Sequence, residues 1–295
     1  MLVVTLVATL AAGLQWRQWR AYSQEAAART QSQASWVLVG ALDWARLILR
    51  EDARSNQNAS VDHLGEPWAL PLQEAKLSTF LSADALTEAG QDEAYLSGHI
   101  TDAQSKINLT NLVDGGKLSA SAVAKLAKLY QQLDLPPTEL QNWTLQWLRS
   151  ANNDTEKMTA DQPLQPKSVR DLHWLGLSTQ SIQTLAPYIT ILPQRSALNL
   201  NTASAFAIYA SIPDIDLTQA QRLVTQRAQT PLQSLEDAAK QLGSASTSLN
   251  GTELSVASNY FEVQGRLRLG DWLIEETSLV QRTGQEVKAL WRRRT

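Results

Sequence analysis

NYFEVQGRLRLGDWLIEETSLVQR, residues 259–282, opens with a strict alternation. Phe261, Val263, Leu267 and Leu269 alternate with Glu262, Gln264, Arg266 and Arg268, the period-two pattern of a strand buried on one face. Gly270-Asp271 predicts a tight turn into a second strand, so the stretch closes a hairpin. Upstream, from about residue 117 to 257, the pattern is that of short helices. Val123, Leu126, Tyr130 and Leu133 form one apolar stripe and Leu140, Trp143 and Trp147 another, with Ser119, Ser178 and Asp216 at N-cap positions. Ahead of this block, YLSGHITD (residues 95–102) again has strand composition. Strands, helices and strands in that order predict an α+β fold, with an all-α domain inserted between strands of an antiparallel sheet.

The N-terminal part predicts one helix of about 50 residues, roughly 75–80 Å long at 1.5 Å per residue. Residues 1–16 carry no charge, and the first basic residue is Arg17. The polar AYSQEAAART follows, and then an amphipathic third begins. There Val37, Ala41, Trp44 and Ile48 fall at helical spacing beside Leu38, Leu42, Ala45 and Leu49. Val37, Trp44 and Ile48 are expected to pack on the sheet, and Val3, Leu6 and Leu10 to meet lipid. The uncharged run is short for a spanning helix, which needs about 20 residues, and Arg17 and Arg20 follow it directly. Residues 55–72 read as a polar loop and 152–166 as a polar connector.

Composition narrows the function. The 295 residues are 43% hydrophobic and include ten Trp, enough for a sizeable core. Cysteine is absent, which removes disulfide frameworks, Cys-ligated metals and thiol catalysis. With 26 Lys+Arg against 29 Asp+Glu, the chain lacks the basic excess of a phosphate-neutralising nucleic-acid binder. His63, His99 and His173 have no metal-type spacing, and no nucleophile elbow, phosphate loop or dinucleotide fingerprint occurs. No enzymatic activity is expected.

Two Asn-rich segments, INLTNL (107–112) and LNLNTAS (198–204), run from extended chain into helices. Asn108, Asn111, Asn199 and Asn201 are read there as caps that organise the fold. The second segment leads into a helix-hairpin-helix-like unit ending at Arg227. Asp214 and Asp216 hold the turn positions where a phosphate-binding version has glycines, so the unit reads as a packing module. Asp154, Glu156 and Asp161 are the acids of a polar connector without calcium-loop spacing, and the closing Arg292–Arg294 run is read as a solvated basic tail.

The order of these segments resembles the minor pseudopilin K family of bacterial type II secretion systems, also called general secretion pathway protein K. The resemblance rests on SWVLVGALDWARLILRED (35–52), HLGEPWALPL (63–72), ITDAQSKINLTNLV (100–113), ALNLNTASAFAIYASIPDIDLTQAQRLVTQR (197–227) and the closing 259–282 stretch, and it covers essentially the whole chain. It implies a pilin-like fold: a membrane helix segment (1–21), a first part of the core (22–116), the inserted α-domain (117–257) and closing strands with a basic tail (258–295). It implies a non-enzymatic subunit at the tip of the periplasmic pseudopilus, taking part in its assembly and in protein secretion. The partners implied are the minor pseudopilins I and J, other pseudopilins, the assembly platform and the inner membrane, with the globular part in the periplasm. Relatives carry a short basic leader ending in Gly. Its absence before residue 1 is read as a translation start placed too far downstream, or a trimmed chain. Relatives with calcium sites have an acid-rich stretch where this chain has WLRSANNDTEKMTADQPLQP, so no cofactor is carried over. The rival reading is a membrane-tethered nucleic-acid-binding protein using the helix-hairpin-helix-like region.

Overall fold

The computed structural model describes residues 2–55, 61–77, 94–151, 162–243, 249–270 and 272–294. Helix α1 runs unbroken over Leu2–Ser55. Its first half stands clear of the rest, with Val3, Leu6 and Leu10 all exposed. Among the described residues, no helix is long and apolar enough to cross a membrane, and the expected segment 1–21 falls short of that measure.

The second half of α1 lies on a five-stranded antiparallel sheet of order β1-β2-β9-β10-β11. The strands are β1 (Leu72–Lys76), β2 (Ala94–Asp102), β9 (Tyr260–Leu269), β10 (Trp272–Thr283) and β11 (Glu286–Arg294). Between β2 and β9 come six two-residue bridging strands: β3 (Ile107–Asn108), β4 (Val113–Asp114), β5 (Lys117–Leu118), β6 (Ile189–Thr190), β7 (Leu198–Asn199) and β8 (Leu254–Ser255). The helices of that insertion are α2 (Ala120–Gln132), α3 (Pro137–Ala151), α4 (Thr179–Leu185), α5 (Ala205–Ser211), α6 (Leu217–Gln229) and α7 (Leu235–Leu242). The fold is thus α+β, with a long N-terminal helix on an antiparallel sheet and a helical domain between its strands. Because β2 pairs directly with β9, the sheet closes across the insertion, and both ends of the helical domain leave from one edge of the core.

The side chains of β9 and β10 alternate as a half-buried hairpin should. Phe261, Val263 and Leu267 point towards α1, where Leu38, Leu42, Ala45 and Leu49 meet them. That seam differs by one helical position from the expected one. Val37 and Ile48 sit at its margin, and Trp44 is 60% exposed. The cause lies in the sheet. Gly98 and Gly265 are register partners beneath the helix, and a Cβ at Gly265 would come within 3.2 Å of Leu38. A surface so close admits Leu and Ala, not an indole.

The insertion has its own core, in which Trp143, Trp147, Tyr130, Leu126 and Leu172 are fully enclosed. The Trp143 indole N–H donates to the Tyr130 hydroxyl at 2.8 Å, which pairs the polar atoms of these two enclosed rings with each other. Ile107, Leu109 and Leu112 also belong to this cluster. Arg292–Arg294 belong to β11 and not to a solvated tail. Arg292 and Arg294 both bond the buried carboxylate of Glu276 on β10, at 2.8 and 2.9 Å, and Arg294 reaches Ser35 of α1. An inward-facing acid on a central strand needs such partners, and the closing residues supply them.

Candidate functional site: the junction between core and insertion

The densest polar chemistry lies where α1, the sheet and the insertion meet. Asp52 is on the stripe that buries Ala45 and Leu49, three residues beyond the latter. Asp62 and Glu66 come from the 61–72 segment. Read from sequence as a polar loop, it is in fact buried at Val61, Asp62, Glu66 and Trp68. Arg282 closes the inward face of β10, with its guanidinium 4.8 Å from the Phe261 ring centroid. One of its nitrogens donates to Asp52 at 2.8 Å; the other donates to Asp62 and, at 2.9 Å, to the Ser258 carbonyl. Glu66 accepts from the His63 N–H and from the Trp68 indole at 2.7 Å.

The network continues into the insertion through Asp102, at the end of β2. One Asp102 oxygen accepts from Asn199 (3.0 Å), Thr202 (2.5 Å) and Ser258 (2.6 Å); the other accepts from the Gln104 N–H at 2.7 Å. Asn199 also donates to the Asp62 carbonyl at 3.1 Å. Burial pushes the carboxyl groups of Asp52 and Asp102 up to about 6, the nearby Glu66 adding to the shift at Asp52. Burial raises Asp62 as well, against the pull of Arg282. Asp52, Asp62 and Glu66 bring oxygens within 4.8 Å of one another, the spacing of a cation site. The Arg282 guanidinium, bonded to both aspartates, already supplies the positive charge there. The arrangement therefore fastens elements together.

Among the residues singled out from sequence, the asparagines do more than cap. Asn108 does cap the 3-10 turn at Leu109–Leu112, accepting from the Thr110 N–H. It also bonds Leu192, Gln194 and Ser196, while Asn111 holds both the N–H and the carbonyl of Ser196. Asn201 does the same to Leu232. Asp214 adopts φ 59° at the turn before α6, and Asp216 caps that helix in a reciprocal pair with Gln219. Asp214 and Asp216 lie in the insertion, away from the junction, and Val3, Leu6 and Leu10 lie on the free half of α1. Asp154, Glu156 and Asp161 are outside the described residues. Sequence reasoning missed Asp52, Asp62, Glu66, Asp102 and Arg282. The available signal was a charge on an apolar stripe, at Asp52, and another on the inward face of a strand, at Arg282. Arg227 was likewise seen only as a helix end. It is buried, donates to the carbonyls of Leu200 and Ala203, and burial lowers its pKa to about 10.

A family model described as "Type II secretion system (T2SS), protein K" matches residues 198–257, from the second Asn-rich segment through α7 to β8. The type II secretion system protein K of Pseudomonas aeruginosa is 29% identical over 290 residues, covering 92% of this chain and 83% of that protein. That of Klebsiella pneumoniae is 26% identical, covering 99% and 93%. A solved structure titled as the GspK-GspI-GspJ complex from the enterotoxigenic Escherichia coli Type 2 Secretion System superposes with a TM-score of 0.66 at 21% identity, over 94% of this chain and 99% of that one. The chain is similar to type II secretion system protein K over nearly its whole length. The protein K match thus spans both the sheet core and the insertion, and the junction residues Asn199, Thr202 and, just beyond the matched stretch, Ser258 lie where the two meet.

Proposed function

We propose that the chain is a minor pseudopilin that forms the tip of the periplasmic type II secretion pseudopilus and acts by assembly, without catalysis. The observation that carries this reading is the likeness of nearly the whole fold to a K subunit whose structure is titled as a complex with I and J. Helix α1 has an uncharged N-terminal stretch and stands free of its own domain over its first half, as a subunit needs if that helix is to sit in the inner membrane and then among neighbouring helices. Val3, Leu6 and Leu10 make those contacts, and the globular part lies in the periplasm. The α-domain, about residues 117–257, is the bulky cap. The buried acids and Arg282 hold that cap at a fixed angle to the helix. The partners are the I and J pseudopilins, the other pseudopilins and the assembly platform.

The test is genetic. In a bacterium lacking its own copy of this gene, substrates of the system should accumulate in the periplasm, and the full chain supplied in trans should restore their release. Unimpaired secretion in the deletion strain would refute the reading.

A further inference from the structure

A cavity of about 220 Å³ lies between α1 and the sheet, beside the seam of Leu38 and Leu42. Small residues on both sides make room for it. Ala41 and Ala45 line it from the helix, and Gly98 and Gly265 from the sheet. Gly98 is fixed as glycine, because a Cβ there would come within 2.5 Å of the Gln264 carbonyl oxygen. The sheet therefore cannot fill the space from that position. Trp68, Leu96, Ile100 and Val263 give it apolar walls, and the exposed Trp44, Leu70 and Leu72 stand at its mouth. The row Leu72, Gly98, Gly265 and Glu276 is in register across β1, β2, β9 and β10, so the cavity crosses three strand spacings, about 14 Å.

The inner end is polar. Glu276 is held there by Arg292 and Arg294. Ser278 is different. It is 2% exposed, lines the cavity, and lies opposite Val263 on the face of the sheet that α1 covers. Among the described residues its hydroxyl makes no hydrogen bond, although a buried hydroxyl without a partner costs about 1–3 kcal/mol and an alanine would avoid that cost. The space is larger than the roughly 150 Å³ that holds a benzene ring, and far too narrow for a helix, which is about 10 Å across. Apolar walls, with the carboxylate at the end already paired, give no hold on an ionised ligand. We propose that this cavity binds a small neutral molecule with an elongated apolar body and a hydroxyl at one end, an alkyl or aryl alcohol, which enters hydroxyl first and bonds Ser278. Bound there, it is a wedge that braces α1 on the sheet. The inference goes beyond the pseudopilin reading and does not depend on it.

Thermal unfolding of the full chain with octanol tests it, in a steroid-based detergent that has no alkyl chain to compete. Octanol should raise the melting temperature of the parent by at least about 2 °C, and octane, without the hydroxyl, by less. Ala41→Leu, which puts its own side chain into the cavity, should melt no lower than the parent without octanol and should show no rise with it. Ser278→Ala should respond to octanol no more than to octane. An unchanged or lowered melting temperature in the parent, an equal rise in Ala41→Leu, or an undiminished preference for octanol in Ser278→Ala would overturn the inference. If Ala41→Leu does not fold, the comparison of the parent with Ser278→Ala decides alone.

Discussion

Arg282 is one guanidinium set against the buried Asp52 and Asp62, with Glu66 close by and Asp102 one hydrogen-bonded step away through Ser258. Removing a single partner from a buried ion pair strands the other charge, so Arg282→Met, which keeps much of the side-chain length, should destabilise the fold by about 3–5 kcal/mol in urea unfolding. The acids also fix the sign of the pH dependence. Asp52 and Asp102 titrate near 6 in the folded chain and near 3.8 when unfolded, so between those values the folded state holds the extra protons. Stability should therefore rise as pH falls from 7 to about 5, by a few degrees in melting temperature. Asp52→Asn should flatten that slope. A melting temperature that falls steadily over the same range would contradict the assignment. Only the misplaced charges at Asp52 and Arg282 were legible in sequence; their pairing was not, because Arg282 lies more than 200 residues from Asp52 and Asp62 and only the fold makes them neighbours.

At the scale of elements, the helix on the sheet was legible and its rotation was not. Residues 37–49 present two adjacent apolar stripes, Val37/Ala41/Trp44/Ile48 and Leu38/Leu42/Ala45/Leu49, and periodicity alone gives no reason to choose between them. The choice is made by the Gly98–Gly265 pair on the facing strands, whose flat surface takes the smaller stripe. Leu49→Ala should accordingly cost about 2–5 kcal/mol, whereas Trp44→Ala should change stability by no more than about 1 kcal/mol. Equal losses would place the seam on the wrong stripe. The β9–β10 hairpin was readable from its alternation, since one face is buried and the other is wet. The basic run at 292–294 was misread as a tail because its anchor, Glu276, is inward-facing on the neighbouring strand and gives no local signal.

Across the whole molecule, strands before and after a helical block were enough to foresee an insertion into an antiparallel sheet, because β2 and β9 must pair to bury their apolar faces. How the insertion is fixed to the core was hidden. Asn199 and Thr202 reach back to Asp62 and Asp102 across the chain, and asparagines read as local caps turn out to be long-range staples. The insertion and the bare helix are thereby joined through one polar junction, as the proposed role of a subunit added once, at an end, requires. The most direct test is light scattering after size exclusion on the full chain in detergent, mixed with the I and J pseudopilins. One complex containing a single copy of each protein is the expected result; three separate peaks at micromolar concentration would contradict the assignment as a tip subunit.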